Sequence, residues 1–355
     1  MSKFVAFLED RLGLDDVREM MAHKVVPVHK HSFWYYWGGI TLMCFVVQIL
    51  TGILLLVYYR PGPEAYNSVR QITYDINFGW LIRSAHSWTA TLFLLSAFIH
   101  MFSAFFMKAY RAPREFGWWT GLVLLGIGMV FGFSGYLLPM DDLSYFATKV
   151  GLTMADLMPV IGPKIGNLLR GGLEVGDFTV QRFFALHVVV LPLLFLPILG
   201  LHLWMVTKHG SSVPPSEEAV PVAERKSIPF FPNFVIKDLA MWLIALNVIA
   251  LLASVFPQSL GEAADPLRAA PPGIHPEWYF MSAFQILKIV GKIIPGTLGE
   301  YAGMGGFTLG LVLWLLIPLY DVTTPGGKRG RNATYFGLVV LGILVVTTIW
   351  GYAAL

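Results

Sequence analysis

The sequence predicts an all-α, polytopic transmembrane protein with seven spans, the first four forming a bundle. Three observations lead there. Of 355 residues, 56% are hydrophobic and 13% charged, against about 45–50% and about 25% in soluble domains. The mean hydropathy is +0.64. Seven stretches are apolar enough, at about 20 residues each, to cross a bilayer. This balance excludes a soluble enzyme and a disordered chain. A net charge of +3 gives no basis for nucleic-acid binding. The one cysteine, Cys44, has no partner for an internal disulfide.

The spans fall at roughly 34–58, 87–107, 117–138, 184–206, 236–256, 306–320 with its flank, and 334–353. Gly303, Gly305 and Gly306 dilute the start of the sixth. Residues 1–30 are no secretory signal, because Glu9, Asp10, Asp15, Asp16 and Glu19 leave no long apolar run. They are expected to lie as an amphipathic segment on the membrane surface. With the N-terminus inside, the inside segments hold fifteen Lys and Arg and the outside segments ten. That bias favours a cytoplasmic N-terminus and puts the long loops 139–183 and 257–305 outside. Residues 209–233, rich in Pro, Ser and charge, read as a linker. It divides a four-helix part, 1–208, from a three-helix part, 234–355.

The sharpest pattern is in spans two and four. His86 and His100 are 14 residues apart, and His187 and His202 are 15 apart. At 100° per residue these steps miss whole turns by about 40° and about 60°, so each pair shares roughly one helix face over about 21–22 Å of rise. Both helices run from outside to inside. His86 is then level with His187 near the outer face, and His100 with His202 near the inner face. Imidazoles facing each other across a bundle are axial ligands of a heme iron. Two level pairs predict two b hemes stacked through the bilayer. The competing reading is four unrelated buried histidines bonded between helices. Level pairing argues against it, because polar side chains in a bilayer are costly and usually functional.

Gly38 and Gly52 in the first span, and Gly121 and Gly135 in the third, repeat the 14-residue stride. A flat macrocycle packed on a helix needs positions without a side chain, although small-residue packing also puts glycines in membrane helices. Arg83 precedes His86 by three residues and Arg182 precedes His187 by five. Either they pair with propionates of the outer heme or they snorkel to the interface.

Two outer loops carry the remaining chemistry. One holds Pro276-Glu277-Trp278-Tyr279. The other begins at Tyr136 and continues through Asp141-Asp142 to Tyr145-Phe146. A carboxylate among aromatics at the membrane edge suits deprotonation of an aromatic diol, with Glu277 taking the proton and the rings walling the site. An interfacial aromatic belt with a surface Glu is the plainer alternative.

Over nearly its whole length the chain resembles the cytochrome b subunit of quinol-oxidising cytochrome bc and bf complexes. The resemblance rests on Gly38-Gly39-Ile40-Thr41 with Gln48 and Gly52, on Asn77 to Ser84 leading to His86 and His100, and on Pro113-Arg114-Glu115. It continues with Gly135-Tyr136, Pro159-Val160-Ile161-Gly162, Leu169-Arg170-Gly171, Arg182-Phe183 with His187 and His202, and Pro276-Glu277-Trp278-Tyr279. The 15-residue step and the seven spans are similar to the bf branch. There the four-helix cytochrome and a three-helix subunit are separate chains, whereas here they look fused through 209–233. The resemblance implies quinol oxidation at an outer site between Tyr136–Phe146 and Pro276–Tyr279, with Tyr136, Asp141, Glu277 and Tyr279 as its residues. It also implies electron transfer through two b hemes to an inner quinone site, and proton translocation. A Rieske iron–sulfur protein, a cytochrome c-type subunit and a homodimer are implied partners. A bacterial inner membrane, with its lipids, is the implied location.

This sequence departs from the bf branch at three places. Tyr36 stands where that branch has a cysteine tethering an extra c-type heme, so no covalent heme is expected here. Ser87 replaces an Arg and Thr207 a basic residue. Two other classes remain alternatives. A di-heme, quinone-reactive membrane anchor of a dehydrogenase would not need the Glu277 or Asp141–Phe146 loops. A transporter with midplane polar residues would bind no heme.

Overall fold

The structure, a computed structural model, describes residues 23–158, 161–218, 220–322 and 328–354, with Phe7 and Arg11. The expected surface segment 1–30 therefore lies mostly outside the described residues. From Val25 on, the described residues form strand β1 (Val25–Pro27) and helices α1 (Tyr36–Leu56), α2 (Ala65–Tyr74), α3 (Gly79–Phe106) and α4 (Glu115–Tyr136). Helices α5 (Asp142–Asp156), α6 (Gly162–Arg170) and α7 (Asp177–Ala185) follow. A π turn, Leu186–Val190, joins α7 to α8 (Leu191–His209). Then come strand β2 (Ser227–Pro229), α9 (Val235–Val255), α10 (Trp278–Ile293), α11 (Thr297–Leu315) and α12 (Lys328–Ala353).

Helices α1, α3, α4 and α8 form the four-helix bundle. In it α1 packs on α3 and α8 on α4, while α9 lies against α1 and α3. The bundle core joins Ile40, Cys44, Phe45, Phe93, Leu94, Leu124 and Phe195, with Ile249 from α9. Helix α10 packs on α11 and α12, and α12 reaches back to α3. The outward faces are apolar, with Leu50, Leu193, Leu243 and Val346 all exposed. In water this would be unstable. In a bilayer it is the required arrangement, since lipid tails solvate Leu as well as a core does.

Among the described residues, six helices are long and apolar enough to cross a bilayer by length and composition: α1, α3, α4, α7–α8, α9 and α12. The stretch expected at 306–320 lies across α11 and the single turn Ile317–Tyr320. Helix α11 starts nine residues earlier than that stretch and carries Glu300 and five glycines, which lower its hydropathy.

The two ends of the bundle differ. One end carries α2, α5–α7 and the loop 257–277. The α5 start is fixed by Asp141, whose carboxylate accepts from the Ser144 amide at 3.0 Å, an N-cap. At the turn into α3, Gly79 has no room for a side chain, because a Cβ would meet the Ile72 carbonyl oxygen. The other end carries both strands. Strand β1 pairs antiparallel with β2, Val25 opposite Pro229. The linker 209–233 is thus strapped to the N-terminal segment. Further ties hold it: the Tyr35 hydroxyl donates to the Ser212 carbonyl, and Arg111 binds Glu218 at 3.3 Å. A cavity of about 700 Å³ at this end is lined by Lys108, Arg111, Arg114, Glu218, Arg225 and Asp321.

Candidate functional site

The four histidines meet as two pairs. The His86 and His187 ring centres are 6.4 Å apart, as are those of His100 and His202. A bond of about 2 Å to a shared metal and about 1.1 Å from nitrogen to ring centre put two trans imidazole centres about 6.2 Å apart. The spacing therefore fits one iron between each pair.

The unused ring nitrogens support the same reading. His86 Nδ1 is 2.8 Å from the Thr51 hydroxyl. His202 Nδ1 is 3.0 Å from that of Thr120. His187 Nδ1 is 3.0 Å from that of Ser134 and 3.1 Å from the Phe131 carbonyl. Each hydroxyl already donates its own proton along its helix: Thr51 to Val47 O, Thr120 to Phe116 O and Ser134 to Phe131 O. Its oxygen must then accept from the imidazole. That fixes the Nδ1–H tautomer and frees Nε2 as a metal ligand.

The glycines sit one to a histidine. A Cβ on Gly38 would be 3.0 Å from His100 Cε1, and one on Gly135 would be 2.8 Å from His187 Cε1. At Gly121 the distance to His202 is 3.3 Å and at Gly52 the distance to His86 is 3.4 Å. These glycines make room for the ligand rings themselves. Three of them follow the hydroxyls directly, as Thr51-Gly52, Thr120-Gly121 and Ser134-Gly135, while Gly38 follows Trp37. The hydroxyls were not singled out in the sequence, although this dipeptide was there to be read.

Both arginines have loop partners. Arg83 donates to the Gln258 carbonyl at 2.7 Å and to the Ser259 carbonyl at 3.2 Å. Arg182 donates to the Asn167 and Leu168 carbonyls. They clamp the loops over the His86–His187 end.

Glu277, Tyr279 and Tyr136 come together at that same end. Tyr136 and Tyr279 lie within electrostatic reach of Glu277. Tyr279 packs on Gly132, one turn from Gly135. Tyr352 joins the cluster, its ring 5.2 Å from His275. Burial raises the Glu277 carboxyl above its ordinary value, opposed by His275 and the Trp278 amide. Asp141 is held differently. Beyond capping α5, it accepts from the Gly261 amide at 3.2 Å and bridges Ala263. Asp142 pairs with Arg268 at 2.6 Å. The two aspartates fasten the 137–146 segment to the 257–268 loop.

At the opposite end lies a carboxylate the sequence reading passed over. Asp238 Oδ1 is buried and has no hydrogen-bond partner among the described residues. It lies against Gly39, where a Cβ would collide with it. Beside it, Tyr36 stacks on Phe234 at 5.1 Å. An acid in an apolar run, VIKDLAMW, was the available signal.

Comparisons with known proteins identify the chain's relatives. The family described as Cytochrome b/b6/petB matches residues 21–210, and that described as Cytochrome b(C-terminal)/b6/petD matches 263–354. A cytochrome bc complex cytochrome b subunit of Chlorobaculum thiosulfatiphilum is 44% identical over 98% of this chain and 80% of its own. A cytochrome b6 of Acaryochloris marina is 42% identical over 60% of this chain and all of its own. A solved structure titled Hyperthermophilic respiratory Complex III superposes with a TM-score of 0.79 at 26% identity, covering 98% of this chain and 99% of that one. Paired imidazoles in a four-helix bundle, a second helical part and these matches place the chain in the cytochrome b/b6 family, as the cytochrome b subunit of a bc-type complex.

Proposed function

We propose that this subunit oxidises quinol at the His86–His187 end and reduces quinone at the His100–His202 end, coupled to proton translocation. The half-buried Glu277, within electrostatic reach of Tyr136 and Tyr279, carries the proposal. The four imidazoles would hold two b hemes through Nε2. When bound, these hemes supply one-electron transfer across the bilayer. Quinol yields two electrons and two protons, so its site needs a proton acceptor. Glu277 takes a proton from the quinol hydroxyl, and its raised affinity brings it nearer the working pH of a general base. Trp278, Tyr279 and Tyr136 exclude water and flank the ring. Asp141 and Asp142 hold the two loops in register.

One electron leaves to a Rieske iron–sulfur partner and on to a cytochrome c-type subunit. The hemes would carry the other to the far end, where Asp238 would give a proton to quinone. Protons are released at the long-loop face and taken up at the strap face, which is cytoplasmic. The complex is a homodimer in a bacterial plasma membrane. The functional parts are the di-heme bundle 1–208, the linker 209–233 and the quinol-loop part 234–355.

The test is Glu277→Gln in membranes holding the whole complex. We expect quinol oxidation to fall roughly 100-fold or more, the usual scale for a general base, with b-heme content unchanged. An unchanged rate would remove Glu277 from the chemistry and favour a simple electron-conducting anchor.

A further inference from the structure

The two histidine pairs are built alike in spacing but not in what holds their rings. At the long-loop end both Nδ1 atoms have acceptors: Thr51 for His86, and Ser134 with the Phe131 carbonyl for His187. At the strap end His202 has Thr120, but His100 Nδ1 is buried without a partner among the described residues. The sequence gives the reason. The residue before each ring-packing glycine supplies the acceptor, and before Gly38 that residue is Trp37, whose indole only donates.

We infer that Thr51 is a positioning residue that lowers the reduction potential of the heme at the long-loop end relative to the heme at the strap end. The inference rests on reading His86 and His187 as one iron's ligands. An acceptor on Nδ1–H leaves the imidazole more electron-rich at Nε2. A richer axial donor stabilises the higher-charged ferric iron and lowers its potential. Two donated hydrogen bonds at one end against one at the other set the two potentials apart.

Thr51 is the decisive position because, among the described residues, it is the one acceptor for His86 Nδ1. Ser134 is not equivalent, since the Phe131 carbonyl would remain for His187. The Thr51 hydroxyl is itself satisfied by Val47 O, so it cannot turn to donate to the ring.

The test is potentiometry of both b hemes in the assembled complex. Thr51→Val should shift the ferrous-to-ferric ratio of the long-loop-end heme about tenfold toward ferrous at fixed poise, a rise of about 59 mV for one electron. The strap-end heme should stay put, and Thr51→Ser should restore the original value. Ser134→Ala should raise the same potential by less than Thr51→Val. If Thr51→Val loses heme, Thr51→Ala carries the same expectation. Two retained hemes with unmoved potentials would overturn the inference, as would Thr51→Ser behaving like Thr51→Val or Ser134→Ala having the larger effect. The underlying ligand assignment fails separately, if His86→Ala keeps both hemes at their original potentials.

Discussion

At the residue scale, space and charge decide what each position tolerates. The four glycines form a graded series, because a Cβ would approach its histidine to 2.8 Å at Gly135, 3.0 Å at Gly38, 3.3 Å at Gly121 and 3.4 Å at Gly52. The last is ordinary contact, while the first requires the ring to move off its axis. Gly135→Ala and Gly38→Ala should therefore lose one b heme each, and Gly52→Ala should keep both. Pyridine hemochrome per chain reads this directly, and equal loss at Gly52 would show that ring contact is not what the glycines protect. Glu277 gives a pH signature as well. Its proton affinity is raised, and only the carboxylate can accept a proton, so the rate should climb with pH through its elevated pKa. Glu277→Gln should abolish that acid limb, which a pH series of quinol oxidation would show.

At the scale of elements, the strap end is held by buried charge. Asp321 is fully buried. It accepts from the Tyr110 hydroxyl at 2.7 Å and from Arg111 at 3.1 Å, and Lys108 Nζ is 3.7 Å away. It thereby ties the connection between α11 and α12 to the α3–α4 turn. Removing one partner of such a group leaves buried cations uncompensated, at a cost of about 3–5 kcal/mol. Asp321→Ala should lower the thermal midpoint in detergent and open residues 209–233 to protease, because Arg111 also anchors the linker through Glu218. A variant with normal stability and no new cleavage would show the cluster to be dispensable.

At the scale of the whole molecule, the proposed function asks the bundle to hold two hemes between four histidines. Two non-covalent b hemes per chain are expected by hemochrome assay. His100→Ala should disturb the strap-end heme while sparing much of the other signal, and equal loss of both in folded protein would contradict the pairing. With Tyr36 stacked on Phe234 and Cys44 buried in the bundle core, no heme should stay attached to this chain after denaturing electrophoresis. A heme-stained band at its mass would refute that expectation.

The sequence by itself determined the all-α membrane class, the heme-binding histidines as candidates and the approximate spans. Those properties follow from composition and from a helical period that needs no tertiary contact to exist. Tertiary structure decided the rest, because it depends on residues far apart in the chain. A 15-residue step between His187 and His202 leaves them further off one face than the 14-residue step of His86 and His100. The π turn Leu186–Val190 takes up the extra residue. Its wider coil also accommodates Pro192, which in a regular helix would press on the Val188 carbonyl. Sequence spacing alone predicts the larger offset there, and only the folded helix brings it back to that of the 14-residue step. The hydroxyl partners, the contact of Asp238 with Gly39, the loop-fastening role of Asp141 and the linker's pairing with β1 were out of reach for the same reason. Each is a contact between segments tens to hundreds of residues apart, and periodicity carries no information about which distant groups a fold will bring together.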